Sequence, residues 1–212
     1  MKLFIESASH EAVADVVDVG VVDGVVLGPS ASRQGAKGLR AIVDALLDLA
    51  VGPVVIEVEA SEVEASLVRA RELAAMGDEV VCGVALSREG LEVCRTCFDE
   101  GIATCVGPCV TVAQALLAAK AGATWISVDV GATEAAGGDG VKLAEDVAAL
   151  LTDCDFEAQL LAIGLRNAQH VGELALAGAH SALVTPEVLW ALVGPRASGV
   201  RVASTPRRPR RR

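Results

Sequence analysis

Short apolar runs alternate with longer segments whose apolar residues recur at i, i+3, i+4 and i+7. KLFIE precedes HEAVADVVDVG, DGVVL precedes AKGLRAIVDALLDLA, and PVVIEVE precedes SEVEASLVRARELAAMG. EVVCGVA, IATCVG, TWISVDV, AQLLAIG and HSALV follow, each with its own helical segment: SREGLEVCRTCFDEG, TVAQALLAAKAG, GDGVKLAEDVAALLTD, RNAQHVGELALAG and TPEVLWALVG. The runs are too apolar to have one wet face, and strands buried on both faces belong to a parallel sheet. About eight strand-helix units in this length, with no G-x-G-x-x-G after the first strand, predict an α/β chain forming one (β/α)8 barrel rather than an open dinucleotide-binding sheet. The barrel is expected over residues 1–193, and residues 194–212 read as a disordered Pro/Arg-rich tail.

Helix punctuation supports this division. Gly20, Gly77, Gly101, Gly122 and Gly178 stand at expected helix C-termini, and Ser61, Ser87 and Thr111 at N-termini. Ser61 with Glu64 has capping-box spacing, while Ser87 makes a poorer match.

Composition narrows the function. The 212 residues are 52% hydrophobic, 22% charged and 2% aromatic, as expected of a globular chain, and the net charge of −10 argues against general nucleic-acid binding. The basic end RRPRRR could touch nucleic acid or an acidic partner but reads more simply as solvated chain. No stretch approaches the roughly 20 apolar residues of a membrane span, and MKLFIESASH lacks the apolar core of a signal peptide. A cytoplasmic protein is expected, with its six cysteines mostly reduced and packed.

A barrel carries its chemistry at the C-terminal ends of its strands. There the sequence offers Glu6, Glu57 with Glu59, Cys105 with Cys109, Ser127 with Asp129, and Arg166. Glu6, Glu57 and Asp129, facing inward, would form an acidic cup in which crowded carboxylates supply a general acid beside a general base. Glu59 reads equally well as a solvated loop residue. The helical pair Cys94 and Cys97 reads as core packing, whereas Cys105 lies where an exposed thiol could be a nucleophile, although no histidine adjoins it in sequence. His10, His170 and His180 lie at starts of elements, no metal-ligand spacing occurs, and neither metal nor cofactor is expected.

The stretches MKLFIESA, DGVVLGPS, ELAAMGDEVVCGVALSREGL, EGIATCVG, AQALLAAKAGATWIS, DGVKLAED, IGLRNAQHV and ALAGAH, in this order, resemble the small bacterial and archaeal transaldolases and their relative fructose-6-phosphate aldolase. The resemblance implies a (β/α)8 barrel of class I aldolase type, assembled as a homo-oligomer, in which a lysine forms a Schiff base with a ketose phosphate. It also implies an altered site. Where such proteins have a pattern like VVVKIPMT this chain has VVCGVALS, so the lysine position falls on Gly83 and its proline neighbour on Ala85. The first-strand aspartate corresponds to Glu6, and the Thr-Thr-Asn-Pro-Ser motif to Val26 through Ser30. An asparagine corresponds to Cys105, a threonine to Gly107, an aromatic residue to Asp129, an arginine to Ala132 and a phosphate-binding serine to Gly164, whereas Arg166 keeps a basic position. Lys2, Lys37, Lys120 and Lys142 all fall away from strand C-termini.

Three functions follow. The first is a repurposed enzyme acting by proton transfer on a small carbonyl- or sugar-derived molecule through dehydration, cyclisation, isomerisation or C–C lysis. Its catalytic candidates are Glu6, Glu57, Asp129 and Cys105; Gly83, Ser127, Arg166 and Ser30 are candidates for substrate binding, with Gly83 leaving room the substrate fills. The alternative is a non-catalytic paralogue that binds a ligand or partner. A third is a surviving aldolase that uses a neighbouring subunit's lysine or another mechanism.

Overall fold

The computed structural model describes residues 1–7, 10–28, 31, 35–49, 51–58 and 62–194, with residues 10 and 11 as backbone only. Ser30, Glu59, Ser61 and the tail from residue 195 lie outside the described residues.

Eight parallel strands close into a barrel in sequential order. They are β1 (Lys2–Glu6), β2 (Gly24–Leu27), β3 (Val54–Glu57), β4 (Val80–Ala85), β5 (Thr104–Cys109), β6 (Trp125–Asp129), β7 (Gln159–Ile163) and β8 (Ser181–Val184). β8 returns to β1 with Lys2 opposite Ser181 and Ile5 opposite Val184, so no strand edge remains unpaired. The helices described are α1 (His10–Val17), α2 (Gly35–Asp48), α3 (Val63–Ala74), α4 (Arg88–Asp99), α5 (Val112–Ala121), α6 (Val130–Ala135), α7 (Gly140–Asp153), α8 (Ala168–Leu176) and α9 (Pro186–Leu192).

Alternation along the strands divides the core in two. Outward residues such as Ile5, Val25, Ile56, Cys82, Val106, Ile126, Leu160 and Val184 meet the helices in one large cluster. Inward residues Phe4, Val55, Val81, Cys105, Trp125 and Leu161 fill the barrel itself. Phe4 and Trp125 meet edge-on at 6.2 Å, and Lys2 Nζ stands 6.0 Å over the Trp125 ring, 3.4 Å from Gln159 Oε1. The N-terminal end is thereby plugged, leaving chemistry to the other end.

Helix ends follow local rules with instructive exceptions. Ser87 Oγ accepts the Gly90 N–H at 2.9 Å, and Thr111 with Gln114 forms a complete capping box. The N-cap of α3 is Glu62, with no side-chain bond, and Ser61 of the expected capping box lies outside the described residues. Gly20, Gly101, Gly122 and Gly178 have the positive φ of helix ends. Gly77 does not, and closeness accounts for it instead, since a Cβ there would lie 2.7 Å from Leu47 Cδ1.

Two segments depart from the strand and helix pattern. β5 runs to Cys109 rather than Gly107, with a register shift against β6 between Val106 and Cys109, where Pro108 has no N–H for the ladder. The segment after β6 turns at once into α6, because the Asp129 side chain caps it by accepting the Ala132 N–H at 2.8 Å. Val130, expected in the strand, therefore opens a helix. Gly131 permits this turn, because a Cβ there would strike the Gly164 backbone.

Candidate active site

At the C-terminal ends of the strands lies a cavity of about 440 Å3. Its polar lining is Glu6 from β1, Glu57 from β3, Cys105 from β5, and Ser127 with Asp129 from β6; Val26, Val55, Leu161, Ile163 and Leu183 supply apolar wall. A wider groove of about 680 Å3, lined by residues such as Arg95, Phe98, Lys120 and Glu157, lies between helices at the strands' N-terminal side. That groove is away from the end where such barrels carry chemistry.

Register explains the gathering of Glu57, Gly83 and Cys105. Glu57 is the Cα partner of Gly83, and Gly83 of Cys105, so the three stand side by side across β3, β4 and β5. The Glu57 carboxyl group lies over Gly83: a Cβ built there would come within 2.9 Å of Glu57 Cδ and Oε1 and 3.0 Å of Oε2. The room expected at Gly83 for substrate is thus already occupied by the neighbouring strand's acid. Ser127 stands over Gly107 in the same manner, and Asp129 over Gly164.

Cys105 is 6% exposed and Ser127 9%. Burial pushes the Cys105 thiol up to about 12; the negative charge of Glu57 and the nearby Cys109 add to the rise, and a hydrogen bond from Ser127 opposes it. Cys109 is also buried and pushed up to about 11. Neither thiol is the exposed nucleophile considered for this strand end. Cys105 is instead a neutral, apolar neighbour of the acids.

The acids differ in their commitments. Glu6 and Glu57 open toward solvent, and Glu6 Oε1 lies 3.4 Å from the position of a Cβ on Gly28. Asp129 Oδ1 accepts the Ala132 N–H, while the Thr133 hydroxyl donates to its backbone carbonyl at 2.8 Å. Capping α6 is a role that residue spacing hid, since Gly131, Gly137 and Gly138 disguise a six-residue helix. Arg166 is exposed, is not part of the lining, and its Nη2 donates to the Gly131 carbonyl at 3.3 Å. His170, unremarked as a site residue, approaches Glu134 at 3.4 Å.

The lysines fall elsewhere. Lys2 lies at the plugged end, Lys37, Lys120 and Lys142 belong to α2, α5 and α7, and none lines the cavity among the described residues. Among the described residues no three His, Cys, Asp or Glu side chains gather as a metal would require.

A closed (β/α)8 barrel with a polar cavity at its strand C-termini defines a large class of proteins with varied chemistry. Within that class the chain belongs to the transaldolase/fructose-6-phosphate aldolase family, whose model matches residues 32–203. It is 38% identical over 192 residues to a probable transaldolase of Phenylobacterium zucineum, covering 91% of this chain and 88% of that one. Identity to a probable transaldolase of Bartonella quintana is 36% over 193 residues, covering 91% and 89%. A thiamine phosphate pyrophosphorylase from Pyrococcus furiosus superposes with a TM-score of 0.62 at 14% identity, over 87% of this chain and 85% of that one, and shares the fold alone.

Proposed function

We propose that this family member is an enzyme without a Schiff-base amine, moving protons with Glu57, Glu6 and Asp129 on a small, unphosphorylated carbonyl- or sugar-derived substrate. The observation carrying this reading is that three carboxylates line one cavity with no lysine or arginine among its described lining residues. Carboxylates side by side in a partly apolar cavity can divide into a proton donor and a proton acceptor. Among the described residues a phosphate would meet negative charge there and no cationic partner, because Arg166 is turned to the Gly131 carbonyl. Glu57 is the best-placed base, held over Gly83 and open to solvent. Ser127 would orient a substrate oxygen, and Cys105 would supply apolar packing rather than attack carbon.

Exchange of carbon-bound protons tests this. In D2O, proton NMR of a panel of unphosphorylated ketoses, aldoses and keto acids should show protein-dependent loss of signal α to a carbonyl. Glu57→Gln should lower that rate by about 100-fold or more, within the range general acid-base groups contribute. Asp129→Asn should also lower it while leaving α6 intact, since asparagine caps as well as aspartate. Undiminished exchange in both variants rejects the assignment.

The non-catalytic reading draws on one observation: Asp129 has a sufficient structural role as the cap of α6. On that reading no panel member exchanges in the parent protein, although binders raise its melting temperature. Residence in the cytoplasm and self-association accompany either reading. The six cysteines, all unpaired, support the first, and exposed Leu176, Trp190 and Val193 on and beside α8 and α9 support the second.

A further inference from the structure

Three polar side chains of the cavity share one arrangement. Glu57, Ser127 and Asp129 each extend sideways over a glycine of an adjacent strand or its end: Gly83 on β4, Gly107 on β5 and Gly164 just beyond β7. Phe4 over Gly24 repeats the device at the plugged end, with an apolar ring in place of a polar group. The glycines are not interchangeable. Gly164 has φ +74°, so its backbone already disfavours a side chain. At Gly107 an added Cβ would meet the Ser127 backbone carbonyl at 2.7 Å as well as its hydroxyl. Gly83 is the clean case. Its φ is not positive, and the three nearest atoms to an added Cβ are Cδ, Oε1 and Oε2 of Glu57.

A glycine inside a strand weakens the strand. It is kept here in the middle of β4, between Cys82 and Val84, where neither turn nor positive φ calls for it. What it provides is a seat.

We propose that Gly83 is a positioning residue for Glu57: the missing side chain on β4 lets the carboxylate lie across the barrel wall beside Cys105. Gly107 does the same for Ser127. Position 83 can hold a side chain, or position 57 can hold its acid in this place, but not both. An added methyl would meet only the far end of a flexible side chain, so Glu57 swings out to the mouth while the barrel survives. The proposal deepens the reading of Glu57 as an acid-base group, yet its test reads position rather than turnover. Failure of the two is therefore distinguishable.

The test uses the full chain with 13C-labelled glutamate and follows the Glu57 carboxyl resonance through a pH titration, assigned by its loss in Glu57→Gln. Gly83→Ala should move the Glu57 midpoint by about one pH unit, the ordinary spread among carboxylates in folded proteins. Gly172→Ala, on α8 where an added Cβ meets nothing within 4 Å, should leave that midpoint in place. An unchanged Glu57 midpoint in folded Gly83→Ala overturns the proposal. If Gly83→Ala does not fold, recovery of folding in Gly83→Ala/Glu57→Ala supports the seat, and failure of that double variant overturns it.

Discussion

Cys105 carries the charge of the cavity into a measurable reactivity. The residue is 6% exposed and adjoins Gly83 in the sheet, and its thiol is pushed up to about 12, first by burial and then by Glu57. A thiol reacts as thiolate, so at neutral pH only a very small fraction of Cys105 is competent. Cys154, just past the end of α7, is exposed. Iodoacetamide at pH 7.5 should therefore modify Cys154 first and leave Cys105 unlabelled over times that complete the Cys154 reaction, as peptide mass spectrometry will show. Comparable labelling of both would contradict the packed, neutral state assigned to Cys105. Asp129 makes a related point about single residues, since one of its oxygens is spent on Ala132 and only the rest of the group faces the cavity. Neither condition is written in the identity of the residue. Both are consequences of what stands next to it in three dimensions.

Among elements, α5 shows how far local sequence decides structure. Thr111 accepts the Gln114 N–H at 3.3 Å, while Gln114 Oε1 accepts the Thr111 N–H at 3.1 Å, and Gly122 closes the helix at φ +95°. Both ends were legible because each depends on residues within one turn. Thr111→Ala should cost about 1 kcal/mol in denaturant unfolding, and Gly122→Ala more, since a new Cβ would also enter the Phe98 ring at 2.5 Å. A smaller loss at Gly122 than at Thr111 would count against this ordering. The strands were legible for a different reason: burial on both faces leaves continuous apolar runs. The α6 segment was not, because six residues with glycines around them carry too little periodicity, and the capping role of Asp129 shows only once the turn after β6 is formed. The acid cup itself was foreseen from residue type and strand position. The occupation of the space above Gly83 was not, because it depends on cross-strand register, which separates Glu57 from Gly83 by one strand and 26 positions in the chain.

For the molecule as a whole, buried thiols set a limit on alkaline stability. Cys82 and Cys105 are pushed up to about 12, Cys97 and Cys109 to about 11, and Cys94 also upward, in each case chiefly by burial. Their ordinary value is 9.0, so the unfolded chain releases these protons while the folded chain still holds them. Where the unfolded state binds fewer protons, stability falls as pH rises. The stabilisation is complete below about pH 9 and is lost as pH climbs through 11 and 12, each buried thiol contributing a slope of up to about 1.4 kcal/mol per pH unit. On the acid side His180 has the opposite sense. Its Nδ1 accepts the Leu160 N–H at 3.2 Å, burial holds its pKa below the usual 6.5, and stability falls as pH drops below that value because the unfolded imidazole takes up a proton first. The surface ion pairs of Lys142 with Glu145 and Asp146 also weaken in alkali, but only above the ordinary lysine value of 10.5. Urea midpoints under reducing conditions should consequently be flat between about pH 7 and 9 and fall before lysines begin to titrate. Replacing Cys82 by alanine should make that fall shallower while lowering the plateau, and an unchanged slope would show that the thiols are not its origin.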